Sequence, residues 1–280
     1  MAIEFGKFGL CETAGYPLCR VFSDVRPRCN VQDYTASFPQ SADLGKCRAT
    51  TAWRSNRLLT THRKYAAVGR KEMYIMFGFL AVTSVFQIIN SAGFAGNDKT
   101  GKILVSVQAG LAVGTFWTLL MNGIVGFQFV EDGTLPSTIG VFGSGAVVAI
   151  VTAFFSVDAS LNLTSLAEKA QQSNPESLAL WILYFIVPLA CAALYLVLQI
   201  VLVLRLLGTR KPLLMLLIAF VAMVMAQVFY ILVSNPICAG TDGIIDGSFA
   251  ATILTGVAAI FLYNYWDSIT EDEWDEFGTA

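Results

Sequence analysis

The sequence predicts an all-α fold, a polytopic bundle of transmembrane helices with six evident spans. Two observations lead there. Six long stretches contain no Asp, Glu, Lys, Arg or His, although the chain carries 18 Lys and Arg and 20 Asp and Glu, all of them between or outside those stretches. Within the stretches the residues are apolar all round, whereas a soluble amphipathic helix shows an apolar stripe every three to four positions and charges opposite. The composition, 55% hydrophobic and 14% charged, agrees; the net charge of −2 says little about partners because its sign is distributed by region.

Residues 1–72 come first, a polar N-terminal region with scattered apolar content and several Cys and Arg, expected to be largely irregular. Met1 to Asp24 lacks an apolar core of seven or more residues behind a basic start, so no cleavable signal peptide is expected and the first span would act as an uncleaved anchor. The spans then follow at about 73–95, 103–130, 137–157, 179–204, 212–234 and 248–266. Each reaches the roughly 20 apolar residues that a helix needs to cross the hydrocarbon core. Charged residues bracket them: Lys71 and Glu72 before the first, Lys102 before the second, Glu131 and Asp132 after it, Asp158 after the third, Arg205 after the fourth, Lys211 before the fifth and Asp267 after the sixth. Residues 267–280 form an acidic tail, for which a solvated run is the default reading.

Charge sets the orientation. Twelve of the Lys and Arg precede the first span and Arg205, Arg210 and Lys211 flank the link between the fourth and fifth, so one side holds 15 of the 18. The positive-inside rule makes that side cytosolic, with the C-terminus on it. The opposite side receives Lys99, Lys102 and Lys169, and the chain's one glycosylation sequon, at Asn162.

Much chemistry is excluded. Proton relays, ion-coupled pumps and voltage sensors use intramembrane charged residues, and a retinal-type pigment needs a buried Lys; the six stretches have neither. The single histidine, His62, lies in an arginine-rich stretch, so neither a Ser/His/Asp triad nor a His-based metal site can be assembled. No phosphate-binding glycine loop and no GxSxG elbow are present. The chain is therefore expected to be no enzyme, to use no cofactor or metal, and to act by binding. The amides Gln87, Asn90, Gln108, Asn122, Gln128, Gln199 and Gln227 read as interhelical hydrogen-bonding groups. Gly110 and Gly114 form a small-xxx-small pair that lets two helices approach closely.

Positive signals lie at the membrane edges. Asn122-Gly123-Ile124-Val125-Gly126-Phe127-Gln128-Phe129-Val130-Glu131-Asp132-Gly133-Thr134 closes the second span. Tyr263-Asn264-Tyr265-Trp266-Asp267-Ser268-Ile269-Thr270 closes the last, and Ala67-Val68-Gly69-Arg70-Lys71-Glu72 leads into the first. With Pro17-Leu18-Cys19, Ile237-Cys238 and Ile245-Asp246-Gly247, in this order and spacing, the chain resembles the fungal chitin synthase export chaperones. The resemblance runs from about Lys64 to Thr270 and over roughly the first 29 residues. It implies a multi-span resident of the endoplasmic reticulum membrane that assists folding and exit of a chitin synthase and so supports chitin deposition in the cell wall. The implied partners are a chitin synthase client and the lipid bilayer, with no nucleic acid; nothing supports a homo-oligomer.

Each motif also has a plain structural account. Tyr263, Tyr265 and Trp266 stand where an interfacial aromatic belt stands. Gly133 supplies the left-handed conformation of a tight turn. Glu131, Asp132 and Asp267 make an acidic rim, expected to pair with Arg70, Lys71, Arg210 and Lys211 rather than to meet basic loops of the client. Gly110, Gly114, Gln199 and Gln227 are candidates for client contact through close packing.

One segment departs from the family. Where relatives have a further span, giving seven, residues 30–63 are polar and hold or adjoin Lys46, Arg48, Arg54, Arg57, Arg63 and Lys64. At about 2.5 to 3.5 kcal/mol per central basic residue, burying six would cost roughly 15 to 20 kcal/mol. The abrupt return of the resemblance at Lys64 points to a shifted reading frame or misread splice junction; an uninterrupted transcript encoding these residues contradicts that. With seven spans Cys11, Cys19, Cys29 and Cys238 share the oxidising lumen and could form two disulfides, in three possible connectivities. With six, the first three face the reducing cytosol. Cys191, within a span, is expected to pack as a small apolar residue.

Two other function classes stay open: a small-solute transporter or channel, whose polar route would have to use the amides above, and a seven-helix receptor.

Overall fold

A computed structural model of the chain describes residues 70–91, 99–127, 133–161, 182–207, 210–231 and 247–275, with positions 233 and 237. Among the described residues every regular element is helical. α1 is Arg70–Ser91, α2 Lys99–Val125 and α3 Leu135–Leu161. α4, Val187–Leu202, continues a π turn at Ile182–Ile186 and runs into another at Val203–Leu207. α5 is Arg210–Ile231 and α6 Gly247–Asp275. All six are long and apolar enough to cross a membrane.

Helix ends follow local chemistry. α1 opens with Glu72 in its first turn, where a carboxylate meets the positive end of the helix dipole. α2 stops at Val125, short of the end of its apolar run at 130. There Gly126 N donates to Asn122 O at 3.1 Å and Phe127 N to Ile124 O at 3.1 Å, tightening the last turn. α3 starts after Gly133, whose φ of 69° suits glycine, and Thr134 caps it by accepting from Ser137 N at 3.5 Å. Pro136 sits in the first turn, where its missing N–H costs nothing. Pro188 lies inside the continuous fourth helix, and the widened turn just before it accommodates the ring's clash with the carbonyl four residues back.

α2 is the central helix and the most buried of the six. It packs most extensively against α3 and also against α1 and α4, while α5 and α6 pack on each other. The α2–α3 crossing rests on small residues. A side chain at Gly110 would collide with the Ala149 carbonyl and the Ala153 methyl, and one at Gly145 with the Thr118 methyl; at Gly114 it would come within 3.0 Å of Ala149 Cβ. The small-xxx-small pair therefore serves packing inside one bundle, and Gly110 and Gly114 are removed from the candidates for client contact.

Polar side chains pair between helices. Asn90 Nδ2 donates to Gln108 Oε1 (α1 to α2), Gln87 Nε2 to Thr252 Oγ1 at 3.0 Å (α1 to α6), and Ser156 Oγ to Ser106 Oγ at 2.9 Å (α3 to α2). These fulfil the hydrogen-bonding reading of Gln87, Asn90 and Gln108. Cys191 is buried and unbridged, as a packing residue would be. Two carboxylates outside the uncharged stretches are nonetheless buried, Glu72 at the start of α1 and Asp158 near the end of α3.

Candidate functional site

The described parts of three quoted motifs, at 70–72, 122–127 with 133–134, and 263–269, lie at one end of the bundle, where α1, α3 and α5 begin and α2, α4 and α6 approach their ends. Two interlocks are built there from segments far apart in the chain.

The first joins α1 to the turn before α3. Glu72, 0% exposed, accepts through Oε1 from Gly133 N at 2.9 Å and from Ser137 Oγ at 2.7 Å. Lys71 Nζ donates to Gly133 O at 2.7 Å, so the two side chains take both backbone groups of one glycine. The carboxylate also stands at the N-terminus of α3, where the helix dipole favours negative charge. Hydrogen bonds to a charged group contribute about 1.5 to 3 kcal/mol, and this one ties two helices together. Among the described residues Glu72 Oε2 has no hydrogen-bond partner, nor does the buried Thr138 Oγ1 one turn along α3.

The second joins α2, α4 and α6, with α1 alongside. Tyr265 OH donates to Gln199 Oε1 at 2.7 Å, both residues being buried. The Tyr263 ring lies 6.2 Å from Phe77 of α1 and 5.8 Å from Trp266, in tilted aromatic contact. A Cβ at Gly123 would come within 2.8 Å of the Tyr195 ring, so this glycine lets α4 close onto α2, while one at Gly126 would make ordinary contact with Leu202 at 3.5 Å. Asn122, on the same stretch, is buried, and its Nδ2 has no hydrogen-bond partner among the described residues.

These positions correct two expectations. Tyr265 at 1% and Trp266 at 5% exposure, with Tyr263 also buried, are core residues rather than an interfacial belt. Gln199 belongs to the interior and leaves the set of client contacts, whereas Gln227 is exposed on α5. Lys71 reaches the glycine carbonyl next to the acidic pair; Arg70 is half-buried, Asp267 half-buried and Lys211 exposed at the same end. Gln128, Glu131, Asp132, Cys11, Cys19, Cys29, Cys238 and Asn162 lie outside the described residues, as does the Arg210 side chain. Sequence reasoning missed the part played by Glu72, although it stands in a quoted motif as the one acid beside two bases at a span's edge. Tyr195, Ser137 and the pairing of Gln199 with Tyr265 carry no local signal at all.

The site's chemistry is that of holding helices. Among the described residues no group of three or more His, Cys, Asp or Glu could hold a metal ion.

The family model described as chitin synthase export chaperone matches residues 4–279, running through residues 30–63 as well as the bundle. A chitin synthase export chaperone of Cryptococcus neoformans var. neoformans serotype D is 31% identical, over 97% of this chain and 76% of its own length. Those of Gibberella zeae and Neurospora crassa are each 29% identical over 96% of this chain, and over 83% and 78% of their own lengths. No solved structure matches the chain. The match includes both interlocks and all six helices, and the chain belongs to the chitin synthase export chaperone family.

Proposed function

We propose that this chain is a non-catalytic membrane chaperone that assists a chitin synthase to fold in, and leave, the endoplasmic reticulum, and so supports chitin deposition in the cell wall. The observation that carries the reading is the family match over residues 4–279. The architecture supports it. The amides that a transport route would need at Gln87, Asn90, Gln108 and Gln199 are taken up in pairs between helices. Large apolar side chains such as Ile139, Phe142, Ile150, Leu194, Leu214 and Val221 point outward. In lipid, association with a client helix relies on close packing and hydrogen bonds, because hydrocarbon removes the hydrophobic driving force.

In this reading the motif end, with Arg70, Lys71, Arg205 and Lys211, faces the cytosol, and so does the C-terminus. The interlocks keep the scaffold rigid while its outer faces meet the client. Co-purification of a tagged chitin synthase with the chain from endoplasmic reticulum membranes tests the proposal. A synthase recovered with this chain, and not with an unrelated six-span protein at equal level, is expected; equal recovery with both contradicts it.

A further inference from the structure

We propose that α5 and α6 form a hairpin that hinges at the motif end and parts from the other four helices at the opposite end, where Gln87 of α1 latches it through Thr252 of α6. The two helices are one unit by their packing. They meet each other about as extensively as α2 meets α3, whereas α5 touches α4 only sparingly. Ala219, Ala222 and Ala226 recur every three to four positions along α5 and are buried, so the face that α5 turns to α6 is one of small side chains.

The hairpin's attachment to the other helices is lopsided. The buried hydrophobic cluster that joins them draws on Met73, Phe77, Tyr195, Val203, Leu216 and Tyr263, each in the motif-end half of its helix. The Tyr265–Gln199 hydrogen bond lies there too, as do residues 208 and 209, which link the fourth helix to α5 directly after its closing π turn. Away from the motifs the seam between α1 and α6 is less filled. Thr252, Gly256 and Tyr263 share one face of α6, and Thr252 and Tyr263 both reach α1, at Gln87 and Phe77. These two pairings set an antiparallel register in which Gly256 stands level with Ser84 and faces α1, yet nothing lies within 4 Å of a Cβ there. In the α2–α3 crossing, by contrast, a Cβ at Gly110 or Gly145 collides with the facing helix. The hydroxyls at this level turn back on their own helices: Ser84 Oγ donates to Leu80 O at 2.6 Å and Thr255 Oγ1 to Ala251 O at 2.8 Å. Gln87 Nε2 does cross the seam, donating to Thr252 Oγ1 at 3.0 Å. Both groups are neutral, and such bonds between membrane helices are weak enough to open.

The hinge is a property of the chain alone and stands apart from the chaperone reading. The full-length chain, its native cysteines replaced and nitroxide labels placed in pairs, is reconstituted in lipid nanodiscs and read by double electron–electron resonance. One pair, at Val85 and Ile253, spans the α1–α6 seam away from the motifs; the other, at Tyr74 and Leu214, spans α1 and the hairpin at the motif end, and all four side chains are exposed. The far pair should show a second, longer distance. Gln87→Leu should enlarge that population about threefold, the effect of losing one hydrogen bond of average strength between membrane helices. The motif-end pair should keep a single distance in both chains. A single, unchanged distance at the far pair in parent and variant alike would overturn the proposal. So would a motif-end pair that broadens equally, because the whole bundle would then be loosening without a hinge. Should Gln87→Leu fail to fold, the parent chain decides alone, since its far pair must already show both distances.

Discussion

Glu72 shows how much one residue at a membrane edge can do. Burying a carboxylate is costly unless it is hydrogen-bonded, and here the Gly133 amide, the Ser137 hydroxyl and the α3 dipole supply the compensation. Glu72→Ala should lower stability by about 1 to 3 kcal/mol, read as a fall in the melting temperature of the detergent-purified protein, and Glu72→Gln, which keeps the acceptor, by less. Gly133→Ala should cost roughly 1 to 2 kcal/mol because φ is 69° there. A melt unchanged in both Glu72→Ala and Gly133→Ala would show that this interlock carries no stability. In the interior, Tyr265→Phe should cost about 0.6 to 2 kcal/mol, and a double-mutant cycle with Gln199→Leu should recover a similar coupling. Gly133 is legible in the sequence as a turn glycine after two acids. The Tyr265–Gln199 pair is not, since 66 positions separate its members and neither has a local pattern that points to the other.

Helices are the most legible level, because bilayer thickness imposes a length and lipid imposes an apolar surface on every side. All six were expected in place, with ends displaced wherever local chemistry overrides the apolar run: Gly126 ends α2 early, and α6 continues to Asp275 through acidic residues. Which face of each helix packs inward was not legible, for the same reason that the helices were. When both faces are apolar no polar stripe marks the outside, and only small residues hint at contact. Gly145 and Gly140, both on α3, separate the two situations. Gly145→Leu should drive a side chain into Thr118 and destabilise or misfold the bundle, whereas nothing lies within 4 Å of a Cβ at Gly140, and Gly140→Leu should be tolerated. Expression level and monodispersity of the two variants in detergent compare them directly, and equal behaviour would contradict the α2–α3 packing described. The aromatic residues near the end of α6 carry the same lesson. Their position suggested a belt, but Phe77, Gln199 and Trp266 provide partners that hold Tyr263 and Tyr265 in the core.

At the scale of the whole molecule, membrane class was readable from charge segregation alone, while family membership rested on motif order. Among the described residues the motif positions are largely internal: Gly123, Tyr263, Tyr265 and Glu72 join helices to one another. Their variants should therefore lower the amount of folded chain before they alter any client, and the surface that meets a client must be sought on the outward faces. Two interlocks lie at one end of the bundle, and α5 and α6 pack chiefly on each other. The most direct measurement images a tagged chitin synthase in fungal cells lacking their own export chaperone, with and without this chain at matched expression. Retention in the endoplasmic reticulum without the chain and delivery to the cell surface with it is the result predicted. Retention in both, with the chain folded and present in that membrane, would contradict a chaperone role for this sequence.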